Sequence, residues 1–478
     1  MEYLHSSDNL LSNEHTFINS LDENEMIELS ITIYELMDNI LEDHVLSMHE
    51  PSFHVDMIHY FADIFTEEWK NISNTDETND DDMYHFIEYF VNHYFELREN
   101  WDNNIPVRSK KTIANKKPNI DDISNVIDSL RETIQPEQRT PEWYQFRHEL
   151  ITASNLWKVF GTESQYNSLI YEKCLPLVNK EQETSHYVNI LSPLHWGQKY
   201  EPLSIMIYEK MYQTKIEDFG CIKHESHSFI GASPDGINID KTNNRYGRML
   251  EIKNIVNREI NGIPSKAYWI QMQIQMETCN LDNCDFFETR FKEYENEELF
   301  YNETTNIQKG IILHFVERIS IGGGFSGTPL NEEDEENMEE SNGYLLNQQY
   351  SGKPNYVYMP LDHSLEKQDV EEWIEKIRQK MRRSWSLYNV IYWNLNEYSC
   401  VLVERNKEWF YHAIPKIKET WDIILRERQT GYEHRSAKKR QKVELQVIQG
   451  EENSRIITNL PKTGGICLVK LDNDEKNS

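Results

Sequence analysis

Residues 229–254 read FIGASPDGINIDKTNNRYGRMLEIKN, and the fold turns on this stretch. Phe229 and Ile230 run into a Gly-Ala-Ser-Pro-Asp-Gly turn, and Ile237 and Ile239 alternate after it. A polar loop follows and RMLEIKN closes the segment, so the pattern predicts a β-hairpin. Strand side chains alternate with period two. Glu251 and Lys253 therefore share one face, while Leu250 and Ile252 point into the opposite, apolar one. The turn puts Asp235 at the mouth of the same sheet. Two carboxylates with a backbone carbonyl between them make a hard-oxygen set suited to Mg²⁺, and a lysine beside them can hold or polarise a water. Glu-x-Lys alone reads as an exposed surface pair; Ser-Pro-Asp-Gly at this distance favours a site.

Two helices flank the stretch. SPLHWGQKYEPLSIMIYEKMYQT carries Glu201 where it can look across at the hairpin, with Trp196, Ile205 and Tyr208 facing inward. SKAYWIQMQIQMETCN places Tyr268, Gln271, Gln275 and Thr278 three or four apart, a polar stripe on an otherwise apolar helix. Upstream, RTPEWYQFRHELITASN starts one short helix at Thr140-Pro141 and a second at ITASN. Arg147 and Ser154 there are candidate phosphate contacts, against the plainer reading of a structural arginine and an ordinary cap. Downstream, CDFFETRF and KGIILHFVER read as strands. EKQDVEEWIEKIRQKMRRSWSLYNVIYW reads as an amphipathic helix running on into apolar residues, and YSCVLVERNKEWFYHAIPKIKETWDIILRER as a strand and then a helix.

The chain of 478 residues has a net charge of −32, which taken whole argues against a nucleic-acid partner. The charge is unevenly distributed. Residues 1–104 hold 25 acids against Lys70 and Arg98, −23 of the total, leaving −9 for the other 374 residues. The pattern predicts an acidic helical N-terminal domain over 1–104 and a basic linker over 105–120. A second domain of strands and helices over 121–430 follows, with a Gly/Asn/Glu-rich insertion at about 320–356, and then a polar, partly basic tail over 431–478. The six cysteines form no Cys-x-x-Cys, which fits free thiols in a reducing compartment. With no signal pattern and no apolar run long enough to span a bilayer, the expectation is an intracellular protein without membrane contact.

From about Arg139 to about Arg428 the chain resembles the YqaJ-type viral recombinase, or phage-lambda-type alkaline exonuclease, branch of the PD-(D/E)xK nuclease superfamily. EWYQFRHELITASN, HWGQKYEP, GASPDG, LEIKN and AYWIQMQIQM carry the likeness, in order. Composition and length are similar to those of proteins of large DNA viruses. The resemblance implies a restriction-endonuclease-like α/β core, a central mixed sheet flanked by helices, here with an added all-α N-terminal domain. It implies that Asp235 and Glu251 ligate divalent metal with Glu201 and the Ile252 carbonyl, the ion being Mg²⁺ with Mn²⁺ able to substitute. Lys253 would activate or orient the water, and Gln271 would support water and scissile phosphate. Arg147, Ser154 and Ser233 correspond to residues that hold a terminal 5′-phosphate. The family's arginine after the Glu-x-Lys strand falls at Glu259, with Arg258 one place earlier; terminal-phosphate recognition is where this chain departs.

The function expected from residues and resemblance together is metal-dependent hydrolysis of DNA phosphodiesters, as a 5′→3′ exonuclease on linear duplex ends in viral recombination, repair or genome processing. The alternatives are a structure-selective endonuclease on the same fold, or a catalytically idle DNA-end-binding recombination scaffold. Expected partners are double-stranded DNA ends, a single-strand annealing protein, and further copies of the chain, since some relatives form trimers.

Overall fold

The computed structural model describes residues 22–43, 46–73, 80–99, 119–136, 140–177, 190, 192–305, 308–317 and 354–437. All the elements named below lie in one unit, Met1–Ser436. The basic linker up to residue 118, most of the 320–356 insertion and the tail from 438 fall outside the described residues.

The N-terminal third is helical: α1 (Glu23–Asp43), α2 (Phe53–Ser73) and α3 (Asp80–Glu99). Apolar side chains at helical spacing give each an inward stripe, and Ile33, Met37, Phe61, Phe86, Ile87 and Val91 close a core of their own. A short turn between α1 and α2 fastens this bundle to the rest. Glu50 pairs with Lys266 at 2.7 Å, and Asn406 Nδ2 donates to His49 Nδ1 at 2.9 Å. Burial, reinforced by nearby His412, pulls His49 down to about 4, so at neutral pH its ring is uncharged and can accept that bond.

Helix α4 (Ile120–Glu132) follows. Ile123, Ile127 and Leu130 recur at helical spacing and enter the main core, so the α/β body takes in this helix from its first residues. Next come α5 (Pro141–His148), β1 (Ile151–Thr152), α6 (Ala153–Leu156), α7 (Glu163–Cys174) and α8 (Pro193–Tyr212). Thr140 caps α5 through Trp143 N, with Pro141 in the first turn. The strands β2 (Ile216–Glu217), β3 (Ile222–Lys223), β4 (Ile230–Ala232), β5 (Gly236–Asn238) and β6 (Met249–Asn254) lead to α9 (Lys266–Cys279). The chain continues through β7 (Asn283–Glu293), α10 (Glu297–Asn302), β8 (Lys309–Glu317), β9 (Asn355–Tyr358), α11 (Lys367–Met381), β10 (Trp385–Glu404) and α12 (Lys407–Thr430).

Among the described residues these strands make a seven-stranded mixed sheet in the order β2-β5-β6-β7-β10-β8-β9 and a three-stranded sheet β1-β4-β3. At the centre of the larger sheet β6 and β7 run parallel, with Glu251 opposite Phe286 and Lys253 opposite Glu288. Helices cover both faces. Trp269, Met272 and Met276 of α9 pack with Phe286, Val401 and Trp409 on one side. Tyr200, Leu203 and Ile207 of α8 pack with Leu250, Ile252 and Phe287 on the other. This is the expected α/β architecture, a mixed sheet flanked by helices, with an all-helical segment before it.

Three local expectations are corrected. The predicted hairpin holds for β5 and β6, which pair antiparallel across the polar loop, but its first arm does not belong to it: β4 pairs with β1 and β3, so the Ser-Pro-Asp-Gly turn crosses from one sheet to the other. Gly236, at the start of β5, lets that strand lie close to β2, because a Cβ there would collide with the Ile216 side chain. The apolar run after the Lys367–Met381 helix is strand, the first half of the 20-residue β10. Its Trp, Tyr, Val and Ile content suits a pleated surface better than a helix. The last two residues assigned to the insertion, 355 and 356, open β9 at the sheet edge.

Candidate active site

Asp235 is brought to β6 by its backbone and its side chain together. Its N–H donates to the Leu250 carbonyl at 3.1 Å, and its Oδ2 accepts from Ile252 N at 2.6 Å. That puts a half-buried carboxylate next to Glu251, which is 0% exposed. Glu251 is heavily bonded. Oε1 accepts from Lys253 Nζ and from Gln271 Nε2 at 2.7 Å, and Oε2 accepts from Gln275 Nε2 at 2.7 Å. Lys253 also lies 4.9 Å from the Tyr268 ring centroid, held between a carboxylate and an aromatic face.

The electrostatics are unbalanced. Burial, and then the negative charge of Glu251, push Asp235 well above the usual carboxylate range, against the pull of Lys253 and with a further push from Glu201. Burial lowers Lys253, but Glu251 and Asp235 outweigh it and hold the ammonium above its ordinary value. Lys253 therefore stays a cation. Two adjacent acids share one positive partner, and a divalent cation would relieve that excess. Asp235, Glu251 and the Ile252 carbonyl are hard-oxygen donors of the right kind. Glu201 lies on an exposed position of α8, near enough for its charge to reach Asp235. Among the described residues no three His, Cys, Asp or Glu side chains gather as one metal-holding group. Asp235 and Glu251 supply a pair of carboxylates that fits a divalent ion.

Residues 142–282 match the YqaJ-like viral recombinase domain, a span that includes Glu201, Asp235, Glu251, Lys253, Gln271 and Gln275. An uncharacterised protein of Acanthamoeba polyphaga mimivirus is 29% identical over 335 residues, covering 63% of this chain. The chain spans 55% of that relative's length. Among solved structures, an alkaline exonuclease from Laribacter hongkongensis aligns at a TM-score of 0.30 and 16% identity, over 62% of this chain and 95% of its own. The same enzyme in complex with dAMP aligns equally.

Strand register and one side-chain contact relate three of the four phosphate-contact candidates to the smaller sheet. Thr152 pairs with Gly231, so Ser154 and Ser233 both lie two residues past a matched pair of parallel strands. Ile222 pairs with Ala232, which puts Cys221 level with Ser233, and Arg147 Nη1 lies 3.8 Å from the Cys221 sulfur. Ser154 is exposed, while the Ser233 carbonyl accepts from Gln275 at 3.3 Å. Arg258 is elsewhere. It stacks 5.5 Å from the Tyr268 ring and pairs with Glu288, a buried carboxylate on β7.

Two residues at this site are absent from the set read in the sequence. Gln275 was visible in the stripe four residues after Gln271, but nothing local distinguishes a ligand-holding glutamine from helix filler. Glu288 becomes visible only once β7 is paired beside β6.

Proposed function

We propose that this protein is a metal-dependent DNA nuclease that degrades linear duplex DNA from its ends, as a 5′→3′ exonuclease in viral recombination, repair or genome processing. The supporting observation is the Asp235–Glu251–Lys253 cluster inside the span that matches the YqaJ-like domain, two adjacent acids that share one lysine. Asp235, Glu251 and the Ile252 carbonyl would hold Mg²⁺, or Mn²⁺ in its place. Such an ion, when bound, lowers the pKa of a coordinated water and offsets charge on the phosphate. Lys253, kept protonated by its two acidic neighbours, serves as a fixed cation that orients water and phosphate, since a base would need a lowered pKa. Gln271 fixes the plane of the Glu251 carboxylate. Arg147, Ser154 and Ser233 offer a cation and two hydroxyls to a strand end. A single-strand annealing partner and a trimeric ring belong to the same proposal, as does an intracellular site of action. No helix among the described residues is long and apolar enough to cross a membrane.

The test is cleavage of end-labelled DNA in Mg²⁺, comparing linear duplex with closed circles, with Lys253→Ala as control. Progressive loss of the linear substrate alone, abolished by the substitution, supports the exonuclease. Cutting of the circle moves the assignment to an endonuclease. Binding without any cleavage leaves the recombination scaffold.

A further inference from the structure

Gln275 is fully buried one turn beyond Gln271 on α9, so the two amides face β6 together. Its Nε2 reaches two acceptors, Glu251 Oε2 at 2.7 Å and the Ser233 carbonyl at 3.3 Å. Both are oxygens. Turning the amide round would set its own oxygen against two others, so the orientation is dictated by chemistry. The consequence is that Oε1 lies buried with no hydrogen-bond partner among the described residues. An apolar side chain of similar size would leave no such orphan, and packing alone does not select a glutamine here.

What the amide gains is a link. It ties the Glu251 side chain on β6 to the backbone of the turn that carries Asp235, two residues beyond Ser233. Gln271 contacts Glu251 Oε1, on the side shared with Lys253. We infer that Gln275 is a positioning residue that sets the separation of the Asp235 and Glu251 carboxylates, and through it the site's affinity for a divalent ion. The inference rests on the proposed role of those carboxylates as ligands.

Gln275→Met keeps length and bulk but removes the donor. It is compared with wild type and with Gln275→Glu, which keeps the shape but sets a third carboxylate against Glu251. Four quantities are read: kcat and KM on linear duplex, the Mn²⁺ concentration giving half the ion-induced rise in Tm, and Tm in EDTA. Gln275→Met should lose about 10- to 100-fold in kcat and in Mn²⁺ affinity, with KM for DNA within about twofold and Tm in EDTA unchanged or higher. Gln275→Glu should do no better in kcat, because the donor and not the shape is at issue. A Gln275→Met protein with wild-type kcat and Mn²⁺ midpoint overturns the inference, and so does one whose losses follow a fall in Tm in EDTA. If wild type cleaves no DNA while Gln275→Met still weakens the Mn²⁺ response, the nuclease reading fails and the positioning role stands. If wild type shows no Mn²⁺ response at all, the positioning role falls.

Discussion

Glu251 on β6 and Asp285 on β7 are buried carboxylates on adjacent parallel strands, at 0% and 1% exposure, and they point to opposite faces of the sheet. Asp285 receives two arginines, Arg245 and Arg248 (the latter at 3.2 Å), together with the Tyr208 hydroxyl at 2.5 Å. Both arginines are themselves buried. Around Asp285 positive groups outnumber negative ones, and the result is a clamp that pins the loop before β6 to the sheet. Around Glu251 the count is reversed: one lysine serves two acids, and the remaining donors are uncharged amides. A buried acid with its charge met supports the fold, whereas a buried pair in deficit calls for a cation from outside.

The comparison breaks most sharply under two conservative substitutions. Glu251→Gln relieves repulsion on Asp235 and keeps the side chain's shape. Its Tm should be unchanged or raised, while cleavage of linear duplex falls by about 10³-fold or more, roughly 4 kcal/mol of lost catalysis. Asp285→Asn should do the converse, leaving two buried arginines short of a counter-charge. The expected cost is about 3–5 kcal/mol of stability in denaturant unfolding, with cleavage by the protein that remains folded within a few-fold of wild type. Loss of stability in Glu251→Gln, or loss of activity without loss of stability in Asp285→Asn, would erase the distinction.

How much of this could be read from the chain depends on sequence distance. Glu251 and Lys253 are two residues apart and share a strand face by period alone, and Asp235 sits one short loop upstream. Those three are legible, as is the i, i+4 placement of Gln271 and Gln275. Which sheet β4 joins is not, because its partner β1 lies some eighty residues earlier and contributes only two residues. The strand from Trp385 follows a helical pattern with no Gly or Pro to mark the change, so the helix reads on too far. Asp285 and Glu288 look like ordinary strand acids until tertiary pairing supplies Arg245, Arg248 and Arg258. The charge balance that separates the two carboxylates is a property of those distant partners.

Glu288 stands between the two extremes and gives the smallest effect. It faces the same side as Lys253, is fully buried, and pairs with one half-exposed arginine, Arg258; its Oε2 has no hydrogen-bond partner among the described residues. Burial raises its pKa while Arg258 lowers it. A carboxylate in this position competes with any phosphate for the same guanidinium. Arg258→Ala in wild type should therefore change the ratio of cleavage at 5′-phosphate and 5′-hydroxyl ends by no more than about twofold. Glu288→Gln keeps the shape, weakens the hold on Arg258, and should raise the 5′-phosphate preference by about fivefold, roughly 1 kcal/mol. Arg258→Ala in the same background should remove the gain. A preference that rises in Glu288→Gln and persists without Arg258 would mean that the arginine is part of the fold alone, and would move Glu288 to the side of Asp285.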